Sequence, residues 1–428
     1  MLRLSVIISC LLALSGVAAA QPKTAANPPA ATLKAWEAAG ASFAWGKRDA
    51  AGEWQTAQEP SAGAVWAFRF DGPPKAEWAK LPTPKQPFAD NLYGSKLTDD
   101  GLKGIAAHPQ LTTLLLGLNK EFTGAGLAHV AGLKGLTALD LKMTGTTDAG
   151  VKHLAPLKKL SRLDLMATNV TDAAGKDLAA LTGLTTLNLF GTPVGDAAVK
   201  DITGLKSLTA LTLGDTRVTD AALKDIGTMT QLTALTVGSV KLTDAGLKGL
   251  APLTKLTDLS LPFTGVTDAG LKDLAPLKAL TALSLRRTRV TDAGLAELAP
   301  LKALTALDLS DTRVTGAGFK ALAALKALKT LDLWNAPVAD GGLKDLADCK
   351  QLATLKLSGT NVTDAGMKHL AGIKTLKSLL LSFTKITAAA LTDLANCKQL
   401  TEISLPASTR SGWDKLREAL PKAEISGS

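Results

Sequence analysis

Four histidines, His108, His129, His153 and His369, are the side chains best suited to proton transfer near neutral pH. His129, His153 and His369 share one position of a recurring pattern, on the outer side of a predicted short helix, which fits solvated surface residues. His129 and His153 fall in adjacent copies and could chelate a metal, but nothing nearby supplies further ligands. No Ser or Cys has a His base at a workable position in its own or a neighbouring copy. Asp148, Asp172, Asp220, Asp244, Asp268 and Asp292 recur in a way that invites calcium. Each stands just before a predicted helix, however, where a carboxylate serves as a cap. The glycines follow the same recurrence and build no phosphate-binding loop. No catalytic residue, metal ligand or cofactor is expected.

Recognition is better represented than reaction. Phe263, Arg287, Asp311, Asn335 and Phe383 lie in one column of the recurrence, with Gly359 between the last two. Arg286 and Trp334 fall in the neighbouring column, and Asp308 and Asp332 in a third. By pleat alternation all three columns point outward from a sheet. Exposed aromatic and Arg side chains are what binding hot spots use. The alternative is that they pair along the ladder, Arg287 with Asp311 and over Phe263. A weaker patch, Asp140, Lys142, Met143, Arg162 and Asp164, lies nearer the N-terminus.

These columns exist because the chain repeats. The pattern L-x-x-L-x-L starts at Leu111 and Leu136, and then at every 24th residue from Leu160 to Leu400. In Leu160-Ser161-Arg162-Leu163-Asp164-Leu165, the alternation of Leu163 and Leu165 predicts a short strand with those residues inward. The other half reads Val266-Thr267-Asp268-Ala269-Gly270-Leu271-Lys272-Asp273-Leu274-Ala275-Pro276-Leu277. Thr267 or Asp268 can cap a helix there, and Leu271, Leu274 and Ala275 give it one apolar face. Pro276 ends it after about two turns. One such unit is too small to bury its own apolar face, so stacked copies must share a continuous core.

These residues resemble the leucine-rich-repeat superfamily, whose pattern continues to an Asn or Cys. Asn119 matches that position, and Thr144, Thr168, Thr192, Thr216, Thr264, Thr288, Thr312, Thr360 and Thr384 occupy it elsewhere, where a hydroxyl can satisfy loop backbone groups. The helical half is similar to the cysteine-containing subfamily known from F-box proteins: Leu346 to Leu352, with Cys349, matches its L-A-x-x-C-x-L segment, and Leu394 to Leu400 repeats it. The resemblance implies an α/β solenoid, a curved horseshoe with a parallel concave sheet and short helices on the convex side, that binds proteins on the concave face. No F-box segment is present, so ubiquitin-ligase function does not carry over. The likeness extends to secreted bacterial proteins built from such repeats.

Outside the repeats the chain divides into residues 1–20, 21–90 and 409–428, with the solenoid at 91–408. Residues 1–20 read as a signal peptide: Arg3, an apolar run from Leu4 to Val17, and Ala18-Ala19-Ala20 before Gln21. An uncleaved anchor and lipidation at Cys10 are the alternatives. No later segment is apolar enough to span a bilayer. Residues 21–90 read as a flexible stretch followed by a cap, or alternatively a small binding domain, and hold Trp36, Trp45, Trp54, Trp66 and Trp78 of the chain's seven tryptophans. Leu33–Ala39 reads as a helix, Ala64–Phe70 as a strand and Pro82–Pro87 as a linker. Residues 409–428 read as a C-terminal cap with a helix around Trp413 to Leu420. Cys349 and Cys397 lie two repeats apart, roughly 10 Å at the spacing of stacked strands and too far for a disulfide. The formal charge of +10 favours acidic surroundings, while no basic-aromatic motif points to nucleic acid. The expectation is a secreted, periplasmic or envelope-associated binding protein with a protein partner. Polysaccharide binding and envelope self-assembly are the alternatives, and oligomeric state is left open.

Overall fold

The computed structural model describes residues 26–49, 53–238 and 241–427. The leader reading, Cys10 included, lies outside them. The chain divides into two compact units, Met1–Val218 and Thr219–Ser428.

In the first unit, a helix (α1, Ala30–Ala38) precedes strands β1 (Ala41–Arg48), β2 (Trp54–Ala57), β3 (Val65–Phe70) and β4 (Phe88–Asn91). β1 pairs antiparallel with β2 on one side and β3 on the other. From β3 onward the pairing is parallel: β4, then β5 (Leu111–Leu115), β6 (Ala138–Asp140), β7 (Arg162–Asp164), β8 (Thr186–Asn188) and β9 (Ala210–Thr212). The parallel stack thus begins before the predicted solenoid boundary, since Phe88 and Leu92 take the inward places that leucines take later. The predicted linker is also tied down: Trp36 Nε1 donates to Pro82 O at 3.0 Å.

Among its described residues the second unit holds nine strands in sequence order: β10 (Ala234–Thr236), β11 (Asp258–Ser260), β12 (Ala282–Ser284), β13 (Ala306–Asp308), β14 (Thr330–Asp332), β15 (Thr354–Lys356), β16 (Ser378–Leu380), β17 (Glu402–Leu405) and β18 (Glu424–Gly427). Each pairs parallel with the next. The last was not read from the sequence. The helix before it runs Trp413–Ala419.

One rung shows why these residues take this form. Leu280, Leu283 and Leu285 are buried, with the strand Ala282–Ser284 around the central leucine. Thr281 donates both its N–H and its hydroxyl to Thr257 O of the preceding rung, at 2.8 and 3.1 Å. The buried Thr288 donates its hydroxyl to Leu285 O at 2.7 Å, the satisfaction of a loop carbonyl expected from its place in the repeat. Asn119 does more: its side-chain nitrogen donates to Leu92 O and Leu116 O, and its oxygen accepts from Leu97 N.

The repeated Thr-Asp pair divides its work differently from the predicted cap. Thr267 Oγ accepts from Ala269 N and is the helix cap. Asp268 instead reaches the next rung, accepting from Thr291 N at 2.8 Å and Thr291 Oγ at 2.6 Å. Asp148, Asp220, Asp244, Asp340 and Asp364 do the same to the Thr of the following rung. At four of these rungs a glycine three residues after the bonded Thr makes room for the carboxylate: a Cβ at Gly246, Gly270, Gly294 or Gly366 would lie 2.4 to 2.5 Å from Oδ1 of Asp220, Asp244, Asp268 or Asp340.

The core is aliphatic in the repeats and aromatic at the start. Trp36 stacks on Phe68 with ring centroids 4.1 Å apart and meets Phe88 edge-on at 5.7 Å. Trp66 and Trp78 bury their rings and place their N–H groups on Ala26 O and Gly101 O. Most of the tryptophan density is therefore packing around the first rungs.

Candidate functional site

The nine residues singled out for binding all lie in the second unit, and the structure sorts them into two local geometries. Asp308 and Asp332 end strands β13 and β14 and face outward, on the opposite side from Leu307 and Leu331. The column of Phe263, Arg287, Asp311, Asn335 and Phe383 is not pleated strand. These residues have φ between 55° and 60°, and Gly359 completes the series at 74°. The strands stop after three residues, and this column forms a row of left-handed turns just beyond their C-terminal ends. Pleat alternation therefore places it wrongly, because the pleat ends before it. The N–H groups of Phe263, Arg287, Asp311, Asn335 and Gly359 each donate to a carbonyl of the next rung, as Arg287 N does to Ser310 O at 2.9 Å, so the stack holds a conformation that side chains other than glycine disfavour.

Arg286 is the hub of the patch. Its guanidinium lies 3.2 Å from Asp311 Oδ2 and 5.2 Å from the centroid of the Trp334 ring. Asn335 donates to the other Asp311 oxygen at 2.7 Å. Arg286 Nε is buried without a hydrogen-bond partner. Arg287 sits over Phe263 at 5.1 Å, so the expected pairing along the ladder holds for Phe263, while the ion pair to Asp311 comes from Arg286. Asp308 accepts from Ser284 Oγ at 2.8 Å and from the Ser310 backbone N–H and hydroxyl. Asp332 pairs with Lys356 at 2.9 Å, one rung further on, and accepts from Trp334 N. Lys356 was missed in the sequence, although it shares a column with Asp332. Phe383 stands apart, 73% exposed and without a ring contact. Tyr93, Leu118, Trp334 and Phe383 are the exposed large apolar residues among those described, and two of the four belong to this patch.

The weaker patch is gathered in the first unit. Asp140 and Asp164 are register partners on β6 and β7. Burial raises the pKa of both; for Asp164 the charge of Asp140 adds to it and the carboxyl is pushed up to about 6. Lys142 lies 3.5 Å from Asp140, 3.7 Å from Glu53 and 5.2 Å from the centroid of the Tyr93 ring. Met143 joins the left-handed column at φ 56°.

Other titratable groups serve packing. His108, unlike the other histidines, is buried with Nε2 2.9 Å from Trp78 O, and burial lowers its pKa. Cys349 and Cys397 are buried free thiols, pushed up to about 11 by burial. Among the described residues no cluster of three or more His, Cys, Asp or Glu could hold a metal. No helix there is long and apolar enough to cross a membrane.

A family model described as leucine-rich repeat matches residues 302–323, one rung of the second unit. A search of curated proteins found no significant match. Among solved structures, the chain is similar to an internalin (inlF) from Listeria monocytogenes, at 24% identity over 72% of this chain and 88% of that one, with a TM-score of 0.55. It is also similar to a leucine-rich-repeat protein of Leptospira interrogans, at 21% identity over 84% of this chain and 88% of that one, with a TM-score of 0.54. At such identities the likeness is one of fold, and it agrees with the rungs described above. By its repeats and its structural neighbours, the chain has the α/β leucine-rich-repeat fold.

Proposed function

We propose that the chain is a non-catalytic binding protein, acting outside the cytoplasm, that holds a partner protein against the strand ends of its second unit. Repeat folds of this kind present extended surfaces suited to protein partners. The observation that carries the reading is the exposure of Trp334, at 39%, under the Arg286 guanidinium, with Phe383, 73% exposed, further along the same column as Arg287. Aromatic and Arg side chains dominate binding hot spots, and a cation already resting on an indole needs little ordering when a partner arrives. Asp308, Asp311, Asp332 and Asn335 supply a polar rim, with Phe263 under Arg287. The leader-like residues 1–20 support an envelope or exterior location.

The test is capture of partners from the native cell envelope with the mature protein and with an Arg286→Glu, Arg287→Glu, Trp334→Ala variant that keeps its circular dichroism. A protein held by the parent and lost by the variant is expected. Equal capture by both contradicts the assignment of this surface.

A further inference from the structure

Two further arginines adjoin the strand-end surface of the second unit. Each lies two residues beyond a left-handed turn: Arg289 after Arg287 and, one rung on, Arg313 after Asp311. Arg313 N donates to Val290 O at 3.0 Å, which fixes it against the rung that carries Arg287 and Arg289. Stacked rungs repeat at ~4.8 Å, so the three arginines share a small area. All three are exposed. The rungs on either side place Gly265 and Pro337 at this position, so the pair is bounded on both sides.

The charges of these arginines are unanswered within the chain. The Arg289 and Arg313 guanidiniums make no hydrogen bond or ion pair among the described residues, and Arg287 has only the ring of Phe263. The carboxylates of the same rungs are engaged elsewhere. Asp311 holds Arg286 and Asn335, and Asp308 holds Ser284 and Ser310. Asp268 and Asp292 reach Thr291 and Thr315. Three like charges with no acid paired to any of them repel one another and draw a partner of opposite sign. The planar guanidinium fork matches a carboxylate. One rung beyond Arg313, Trp334 lies under Arg286 and offers an apolar contact beside the charges.

We propose that Arg287, Arg289 and Arg313 receive an acidic segment of the partner protein. A run of Asp or Glu places its carboxylates on the guanidiniums, and a neighbouring apolar side chain rests on Trp334. Guanidiniums spread over two rungs call for several carboxylates in succession. The proposal rests on the protein-binding reading above and names the chemistry of the partner.

The test is fluorescence anisotropy of the full chain with a labelled peptide of one Leu followed by four Glu, its four-Gln counterpart, and a labelled decathymidylate. Saturable binding of the Glu peptide is expected, weakened at least ten-fold in an Arg289→Gln, Arg313→Gln variant. A Lys326→Gln, Lys374→Gln variant removes the same charge from exposed lysines that precede β14 and β16, and should bind as the parent does. Any of five results would overturn the proposal: no saturable binding of the Glu peptide, equal binding of the Gln peptide, unchanged affinity in the arginine variant, an equal loss in the lysine variant, or decathymidylate held at least as tightly through the same two arginines. Should the double arginine variant not fold, Arg313→Gln alone takes its place, with a loss of at least three-fold expected. A partner protein lost by Trp334→Ala but held in full by the arginine variant would sink the acidic segment and leave the protein-binding reading standing.

Discussion

Asp90 stands where later rungs place leucine. It pairs in register with Leu114, is fully buried, and neither carboxylate oxygen finds a hydrogen-bond partner. Burial raises its pKa well above the usual carboxylate value. The sign of the linkage follows: a folded pKa above the unfolded one means that the folded chain binds the proton more tightly. Stability is then greatest below the unfolded value near 4 and falls as pH rises toward the folded one, by about 1.4 kcal/mol per unit between the two. Asp90→Leu should therefore raise the unfolding midpoint at pH 7, and by more than at pH 4. A gain that is equal at both pH values would contradict the buried, neutral carboxyl. Ala167 carries a different local cost. It is exposed and held at φ 53°, in the column where Gly191 and Gly359 adopt the same region. Ala167→Gly should stabilise by up to about 1 kcal/mol, because the left-handed conformation costs alanine roughly that much. Denaturant unfolding checks this against Ala282→Gly, a strand position, which should destabilise; a loss at both positions would contradict the strain.

At the scale of the rung, the unit of cohesion is a carboxylate and the glycine that admits it. Asp268 bonds Thr291, and Gly294 leaves the space. Asp268→Ala should cost about 1–3 kcal/mol through the two unpaired Thr291 donors. Gly294→Ala should cost a comparable amount by collision with the carboxylate. The double variant should be clearly less destabilised than the sum, because removing the carboxylate removes the collision. Additive losses in denaturant unfolding, or unchanged amide exchange at Thr291 in Asp268→Ala, would contradict this coupling. The helix, the strand and a cap at Thr267 or Asp268 were legible in the sequence, because hydrophobic spacing and capping chemistry are local. The forward reach of Asp268 was not, because a carboxylate before a helix satisfies the capping pattern whichever partner it takes. The left-handed column was misread as pleated strand, although Gly191, Gly359, Asp215, Asp311 and Asn335, all residue types favoured in that region, share it.

At the scale of the molecule, the repeat made the fold readable, since leucines at a fixed 24-residue spacing admit stacked rungs and little else. The candidate surface was readable by column, because a fixed repeat converts sequence distance into spatial adjacency. Phe263 with Arg287 and Asp332 with Lys356 are neighbours for that reason. The partner of Arg286 was not readable, since the choice between Asp311 and other acids depends on how the left-handed turn aims each side chain. The central claim concerns the strand ends of the second unit. The most direct measurement is the affinity of the captured partner protein for Trp334→Ala and Phe383→Ala, with Arg162→Gln in the first unit as the control. The account predicts a loss of at least ten-fold for Trp334→Ala, a smaller loss for Phe383→Ala and no change for the control. Unchanged binding by both aromatic variants would contradict it.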